Sequence, residues 1–266
     1  MSSFKLNCGV ILDRINLNYK LEGSGETFVF IHGLSDNLLY WEFLASNLKE
    51  NFQVLRVDLR GHGQTELGDD EISIGTYADD LYNLLCDLNI DNIRLIGFSL
   101  GSAVALDFTV RYPDFVSSLV LMSSFHRADE HLKKIFDQLK EALKISFNEF
   151  YDEILPMVLC PDVIEGNKAE LEMLKEFASQ TADTQAYIHA IDACLNFSIE
   201  NELSNIDVST LMLAGKHDEM IPLDLQDELH SKIKNSKLIV FDDVRHNLLI
   251  GKNNEKILDI IKKEFK

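Results

Sequence analysis

Short apolar runs rich in Val, Ile and Leu alternate along the chain with segments of helical periodicity, and this alternation most restricts the folds open to it. Near-continuous apolar runs are typical of parallel strands covered by helices on both faces. Strands that alternate with helices in this way predict a doubly wound α/β sheet. The predicted strands are Arg14–Lys20, Thr27–Ile31, Gln53–Val57, Asn92–Gly97, Val116–Met122, Ser209–Ala214 and Lys237–Phe241.

The alternation is interrupted once, between about Phe125 and about Leu203. No segment there predicts a strand, but apolar residues recur at helical spacing. They form two sets, Leu132, Ile135, Phe136, Leu139 and Leu143 in one and Tyr187, Ala190, Ile191 and Cys194 in the other. We therefore expect residues 1–124 and 204–266 to form one core. Residues 125–203 are expected to form a helical cap, an insertion rather than an independent domain.

Charge and composition restrict the partners of the chain. Its 266 residues include 44 acidic and 25 basic side chains, which gives a formal charge of −19. So acidic a chain is not expected to bind nucleic acid or an anionic membrane surface, since both need clustered Lys and Arg.

The four cysteines are far apart and form no CxxC pair, so we expect neither a disulfide framework nor a metal site. The N-terminus lacks a basic segment followed by an apolar one, and a cytoplasmic location is expected.

The pentapeptide Gly97-Phe98-Ser99-Leu100-Gly101 is the strongest local motif. It follows the strand residues Arg94-Leu95-Ile96 and precedes the helical run 103–111, which is the context of a nucleophile elbow. Such a turn is so tight that the flanking residues must be small. It would present the Ser99 hydroxyl above the sheet edge, at the positive end of a helix.

A serine hydroxyl needs a base, and the base needs an orienting carboxylate. Loops at the carboxyl ends of parallel strands converge on one crevice, and His246 follows the last predicted strand. Asp218 follows the preceding strand and gives the chain order Ser99, Asp218, His246, which is typical of elbow chemistry. The alternative acids near these positions are Glu219, Asp242 and Asp243.

An oxyanion hole is the remaining requirement for acyl transfer. His32-Gly33-Leu34 ends an early strand, and Gly33 allows its backbone to approach the nucleophile closely. The predicted donors are the backbone N–H groups of Leu34 and Leu100.

Five segments in order resemble the α/β-hydrolase fold family: 32–34, 58–63, 97–101, 214–218 and 245–247. The resemblance covers nearly the whole chain and implies an eight-stranded, mostly parallel sheet with a helical cap over the active site. Within the family the chain is similar to small capped esterases, enol-lactonases and carbon–carbon hydrolases. It departs from the family pattern at Ser102, where many relatives carry Gly, and at Arg245, where a Gly often precedes the histidine.

The expected function is hydrolysis of a small or medium carboxylic ester or lactone, without a cofactor, through an acyl-enzyme on Ser99. A serine at this position argues against the branches that attack with an Asp. Phe98 and Leu100 stand where carbon–carbon hydrolases often carry Asn and Met, which favours an ester or lactone. The alternatives are a carbon–carbon bond hydrolase or perhydrolase with the same catalytic residues, or a ligand receptor of this fold with little turnover.

Candidate substrate-binding residues are less well defined by the sequence. They are His32, Gly33, Phe98, His126 and Arg127. His32 has a competing interpretation as a structural histidine in a strand-ending turn, and Arg127 as a solvated surface residue. Arg127 would meet a carboxylate if the substrate carried one.

Overall fold

The computed structural model describes residues 14–69 and 71–265, and its centre is one twisted sheet. The strand order is β1-β3-β2-β4-β5-β6-β7, with β1 antiparallel to β3 and the other neighbouring pairs parallel. The strands are Tyr19–Gly23 (β1), Thr27–Ile31 (β2), Gln53–Val57 (β3), Ile93–Phe98 (β4), Val116–Met122 (β5), Ser209–Gly215 (β6) and Ser236–Phe241 (β7). Within the described residues the sheet therefore has seven strands, one for each apolar run, and not the eight that the family resemblance implied.

The described residues contain ten α-helices. They are Glu42–Leu48 (α1), Ile74–Leu88 (α2), Leu100–Arg111 (α3), Glu130–Ile145 (α4), Phe147–Val158 (α5), Pro161–Gly166 (α6), Lys168–Thr181 (α7), Thr184–Leu195 (α8), Leu223–Lys232 (α9) and Asn254–Glu264 (α10). Alternate strand residues face opposite layers. In β2, Val29 and Ile31 join the core beneath α2, α3 and α9, whereas Phe28 and Phe30 pack towards α1 and α10. The doubly wound α/β class predicted from the alternation is thereby confirmed.

One predicted strand starts late. The first was expected at Arg14–Lys20, but regular pairing begins at Tyr19. The backbone of Asn18 instead bonds loop groups: its N–H donates to Thr65 Oγ1 at 2.9 Å, and its carbonyl accepts from the N–H of Asp58 at 2.9 Å. These bonds close a loop against the sheet edge and leave only the following five residues to pair with β3.

Helices α4–α8 fill the interval between β5 and β6. Asp129 starts α4 by accepting a hydrogen bond from the N–H of Leu132 at 2.8 Å, and the apolar face predicted for this helix is buried. The segments that enter and leave the helical insertion run side by side, joined by an antiparallel bridge between Arg127 and Ser198. The insertion therefore begins and ends at one place on the core.

The cysteine prediction is wrong at one position. Cys86 is disulfide-bonded, whereas Cys160 and Cys194 carry free thiols; Cys8 lies outside the described residues. The wide spacing of the cysteines is no guide here because residues far apart in sequence can meet after folding. Within residues 14–69 and 71–265, no helix has the length and apolar character needed to cross a bilayer.

Candidate active site

Ser99 occupies the turn between β4 and α3 in a backbone conformation that a serine rarely adopts. Its φ is 52° and its ψ is −115°, outside the regions favoured by residues with a side chain. The flanking glycines explain how the turn closes. A Cβ on Gly97 would collide with the Gly101 carbonyl, and one on Gly101 would collide with the Ile31 carbonyl. The pentapeptide thus forms the tight turn that its glycines and its strand–helix context predicted.

Ser102, one of the two departures from the family pattern, stabilises this turn. Its buried hydroxyl lies 2.8 Å from the carbonyl oxygen of Gly97 and 3.0 Å from that of Met122. The Ser99 N–H donates to the same Met122 carbonyl at 2.9 Å. The side chain that replaces a glycine therefore connects the end of β5 to the turn that carries Ser99.

His246 and Asp218 meet Ser99 in one hydrogen-bonded series. His246 Nε2 lies 2.9 Å from Ser99 Oγ, and His246 Nδ1 lies 2.8 Å from Asp218 Oδ2. The other oxygen of Asp218 accepts from the N–H groups of Met220 and Ile221 at 3.0 and 2.9 Å. These backbone donors hold the carboxylate in place. With Oδ2 accepting from Nδ1–H, Nε2 is left as the acceptor for the serine proton.

The alternative acids are engaged elsewhere. Glu219 pairs with Arg245 at 3.0 Å, and Asp242 pairs with Lys216 at 2.8 Å. Asp243 pairs with Lys252 at 2.9 Å. The Lys252 ammonium lowers the pKa of Asp243, and the Lys216 ammonium lowers that of Asp242. Of the four acids considered from the sequence, the structure brings only Asp218 into contact with His246.

The predicted oxyanion donors come from two loops: Leu100 directly follows Ser99, and Leu34 lies in the loop after β2. Leu100 is the first residue of α3, so its N–H belongs to the helix end that has no intrahelical partner. Leu34 follows Gly33 and precedes Ser35, whose φ of 60° turns the chain back sharply. Within the described residues, the Leu34 N–H makes no hydrogen bond. Both groups are therefore available to a ligand.

Gly33 and Phe98 pack against each other close to Ser99. A Cβ on Gly33 would lie 2.9 Å from the Phe98 ring and 3.1 Å from Asp36 Oδ2, so the position has no room for a side chain. The Phe98 ring stacks on Tyr40, with centroids 4.8 Å apart, and lies 5.2 Å from the His246 ring. The Phe98 ring thus packs between the rings of Tyr40 and His246.

His32 is buried and bonded to backbone groups of neighbouring loops, and its role in substrate binding stays a prediction. The side chain is completely buried, and its Nε2 accepts the Leu59 N–H at 3.0 Å. Its Nδ1 lies 2.8 Å from the Gly33 carbonyl, to which it donates in this tautomer. Burial lowers the pKa of His32 to about 4, so the ring stays neutral and joins the β2 end to the next loop.

His126 and Arg127 both contact Glu228 of α9, and Arg127 also approaches Glu200; their role in substrate binding stays a prediction. Arg127 Nη2 lies 2.8 Å from Glu228 Oε2, and Arg127 Nε lies 3.7 Å from Glu200 Oε2. His126 Nε2 lies 3.5 Å from Glu228 Oε1. The Arg127 charge is thus already paired by two carboxylates.

Asp36 lies beside the candidate site, although no sequence motif points to it. It lies four residues after His32, half-buried, with its carboxylate beside Gly33. Burial raises the pKa of Asp36 to about 7, although the charge of His246 and a Gly33 backbone hydrogen bond lower it. Its position two residues after Leu34 was the available signal, but burial depends on tertiary packing that the sequence does not display.

The comparisons with known proteins concern the family and the fold. The family model described as the α/β hydrolase fold matches residues 26–161. An uncharacterized protein of Mycobacterium tuberculosis is 35% identical over 106 residues, which are 40% of this chain and 31% of that protein. The chain thus spans about a third of that relative's length. A Rhizobium rhizogenes protein provisionally named as the carbamate hydrolase RutD is 28% identical over 226 residues, covering 83% of this chain and 86% of that one.

Solved structures resemble the whole chain. An α/β hydrolase from a deep-sea metagenome superimposes with a TM-score of 0.88 at 21% identity, covering 94% of each chain. An esterase of Exiguobacterium antarcticum gives 0.85 at 23% identity, covering 95% of this chain and 96% of that one. The enol-lactonase of Burkholderia xenovorans gives 0.85 at 21% identity, with 94% and 96% covered. At these identities the likeness establishes the fold.

Proposed function

Because the chain belongs to the α/β-hydrolase fold family, we propose that it is a serine hydrolase of small or medium carboxylic esters or lactones that needs no cofactor. One observation carries the proposal: the continuous series from Ser99 Oγ through His246 to Asp218, at 2.9 and 2.8 Å. These are the distances that a nucleophile, its base and an orienting acid require.

The chemistry proceeds in two steps. His246 Nε2 takes the proton of Ser99 while Oγ bonds to the carbonyl carbon, and the resulting oxyanion accepts hydrogen bonds from the N–H groups of Leu34 and Leu100. His246 then passes the proton to the leaving oxygen, whose bond to carbon breaks and leaves an acyl-enzyme. Water, deprotonated by His246, releases the acid and restores Ser99. Asp218 keeps the proton on Nδ1 and stabilises the imidazolium.

Residues 125–203 act as a cap in this proposal. Three contacts support it, all at loops near the site. The Asn247 N–H donates to the Val158 carbonyl at 3.0 Å, and Arg245 donates to the Pro156 carbonyl. The Tyr187 ring lies 4.9 Å from the ring of His62. Helices α5 and α8 therefore contact the loops that surround Ser99 and His246.

We favour esters and lactones over carbon–carbon substrates because Phe98 and Leu100 flank Ser99, at positions where carbon–carbon hydrolases often carry Asn and Met. A panel of p-nitrophenyl esters of increasing chain length, lactones, aryl carbamates and diketo acids separates the substrate classes. Bromination with peroxide and acetate detects perhydrolysis. A receptor would instead bind a small ligand tightly with negligible turnover.

The test of the nucleophile is covalent labelling with a fluorophosphonate probe. Wild type is expected to be labelled and Ser99→Ala to lose both labelling and p-nitrophenyl ester turnover. Ser46→Ala, which removes an exposed hydroxyl on α1, is the matched control and should be labelled like wild type. Undiminished labelling of Ser99→Ala would refute the assignment.

A further inference from the structure

A second cluster of chemically active side chains lies where the helical insertion joins the core. We propose that His126, Glu200 and Glu228 bind a divalent transition-metal cation such as Zn²⁺. One ligand atom from each of the three residues lies within 4.8 Å of the others. The site is distinct from the series of Ser99, His246 and Asp218 and does not rest on their function.

His126 is the observation that distinguishes this cluster from an ordinary acidic surface. Its side chain is 0% exposed, yet neither ring nitrogen has a hydrogen-bond partner among the described residues. Buried polar atoms without a partner are rare in folded proteins and call for an explanation. His126 Nε2 lies 3.5 Å from Glu228 Oε1, beyond hydrogen-bond range, and a bound cation would satisfy both atoms.

The carboxylates already hold a cation at the same place. The Lys232 ammonium lies 2.9 Å from Glu200 Oε1 and 3.6 Å from Glu228 Oε1. Arg127 engages the opposite oxygen of each carboxylate, at 3.7 Å on Glu200 and 2.8 Å on Glu228. The two inner oxygens and the imidazole nitrogen thus surround a position suited to positive charge, while Arg127 steadies the carboxylates from outside.

The donor set selects the class of cation. An imidazole nitrogen with two carboxylate oxygens suits Zn²⁺ or a similar transition metal, whereas Ca²⁺ and Mg²⁺ prefer oxygen ligands throughout. Ligands of a tetrahedral Zn²⁺ at about 2.1 Å stand about 3.4 Å apart, so the present atoms need to close by roughly 1 Å. Glu200 and Glu228 are partly exposed, with side chains at 40% and 33%, and can make that movement.

Such a cation would connect both ends of the insertion to the core. His126 lies on the entering segment and Glu200 on the leaving one, and the Ile199 N–H donates to the His126 carbonyl at 3.0 Å. Glu228 lies on α9 of the core. The sequence does not predict this metal site because its three ligands come from segments that are far apart along the chain.

The experiment is calorimetric titration of the metal-stripped full chain with ZnCl₂, with the visible spectrum of Co²⁺ as a readout of imidazole and carboxylate coordination. Wild type should bind one equivalent at this site. With metal at about a hundred times its Kd, the unfolding midpoint should rise by roughly 5 °C. His126→Gln should weaken binding roughly tenfold or more. The matched control His131→Gln, at an exposed histidine outside the cluster, should bind like wild type.

Lys232→Gln is the decisive variant because its ammonium competes for the same position. Its removal should tighten Zn²⁺ binding, a gain that no folding defect can imitate. The proposal is overturned if neither wild type nor Lys232→Gln binds a stoichiometric ion. It is equally overturned if His126→Gln, folded as judged by its melting curve, binds as tightly as wild type.

Discussion

Asp36→Asn tests the electrostatics of the candidate active site through protein stability. The Asp36 carboxyl is half-buried beside Gly33, and burial raises its pKa to about 7 from an ordinary value of 3.8. Asparagine has nearly the same shape but cannot ionise. The substitution therefore removes one titration from the folded state and leaves the packing at Gly33 and Phe98 largely as it is.

The sign follows from proton linkage. Between about pH 4 and pH 7 the folded protein holds a proton on Asp36 that the unfolded chain has released, so its stability falls as pH rises and levels off above about 7. Each pKa unit corresponds to about 1.4 kcal/mol, which makes the loss between about pH 5 and about pH 8 close to 3 kcal/mol. Allowance for the part of the carboxyl that faces solvent reduces this to roughly 2 kcal/mol.

Urea denaturation of wild type and Asp36→Asn at these two pH values measures the effect. The stability of Asp36→Asn relative to wild type should rise by roughly 2 kcal/mol from about pH 5 to about pH 8. Groups that titrate in both proteins cancel in this difference. Asp137→Asn, at an exposed position of α4, is the matched control and should show no such rise. A difference that is constant with pH, or that falls, would refute the argument.

Three further substitutions test other parts of the site. Gly101→Ala should cost roughly 3 kcal/mol in urea denaturation because its Cβ meets backbone, whereas a Cβ on Gly166 meets no described atom within 4 Å and Gly166→Ala should be nearly neutral. Asp218→Asn should lower kcat for the best ester by a factor on the order of 10⁴, with the fold intact by circular dichroism. Arg245→Gly should raise hydrogen exchange at the end of α5 about tenfold, since the bond to the Pro156 carbonyl is lost, with little change in Tm.

The sheet could be predicted from the sequence almost residue by residue. Thr27–Ile31, Gln53–Val57 and Val116–Met122 form strands with the predicted bounds, since each is a short apolar run ended by turn or polar residues. The first strand could not be placed in this way. Its bounds depend on the hydrogen bond that the Asn18 N–H donates to Thr65 and on the one that the Asn18 carbonyl accepts from Asp58, both distant in sequence.

The candidate site likewise has residues whose position could be predicted from the sequence and residues whose position could not. The sequence alone predicts that three residues lie close together, namely Ser99, Asp218 and His246. Each of them follows a parallel strand, and the carboxyl ends of such strands lie at one edge of the sheet. No comparable rule predicts from the sequence which groups will surround a given side chain. The position of His126 and Arg127 at the start of the insertion does not reveal what they contact, and the path of the chain turns both towards Glu228. The role of Asp36 depends on burial, which only the folded chain shows.

The two departures from the family pattern, Ser102 and Arg245, both connect the elements around the nucleophile and its base. A glycine at 102 would leave the Gly97 carbonyl without the hydroxyl that now lies 2.8 Å away. Arg245 adjoins His246, pairs with Glu219 beside Asp218, and donates to the Pro156 carbonyl of α5. A movement of α5 would therefore act on both loops that hold His246 and Asp218. Ser102 and Arg245 hold the elements around Ser99 and His246 in place and do not themselves take part in the proposed acyl transfer. Their replacement is therefore compatible with that proposed chemistry. Arg245 also links the helical insertion to the loops that carry His246 and Asp218.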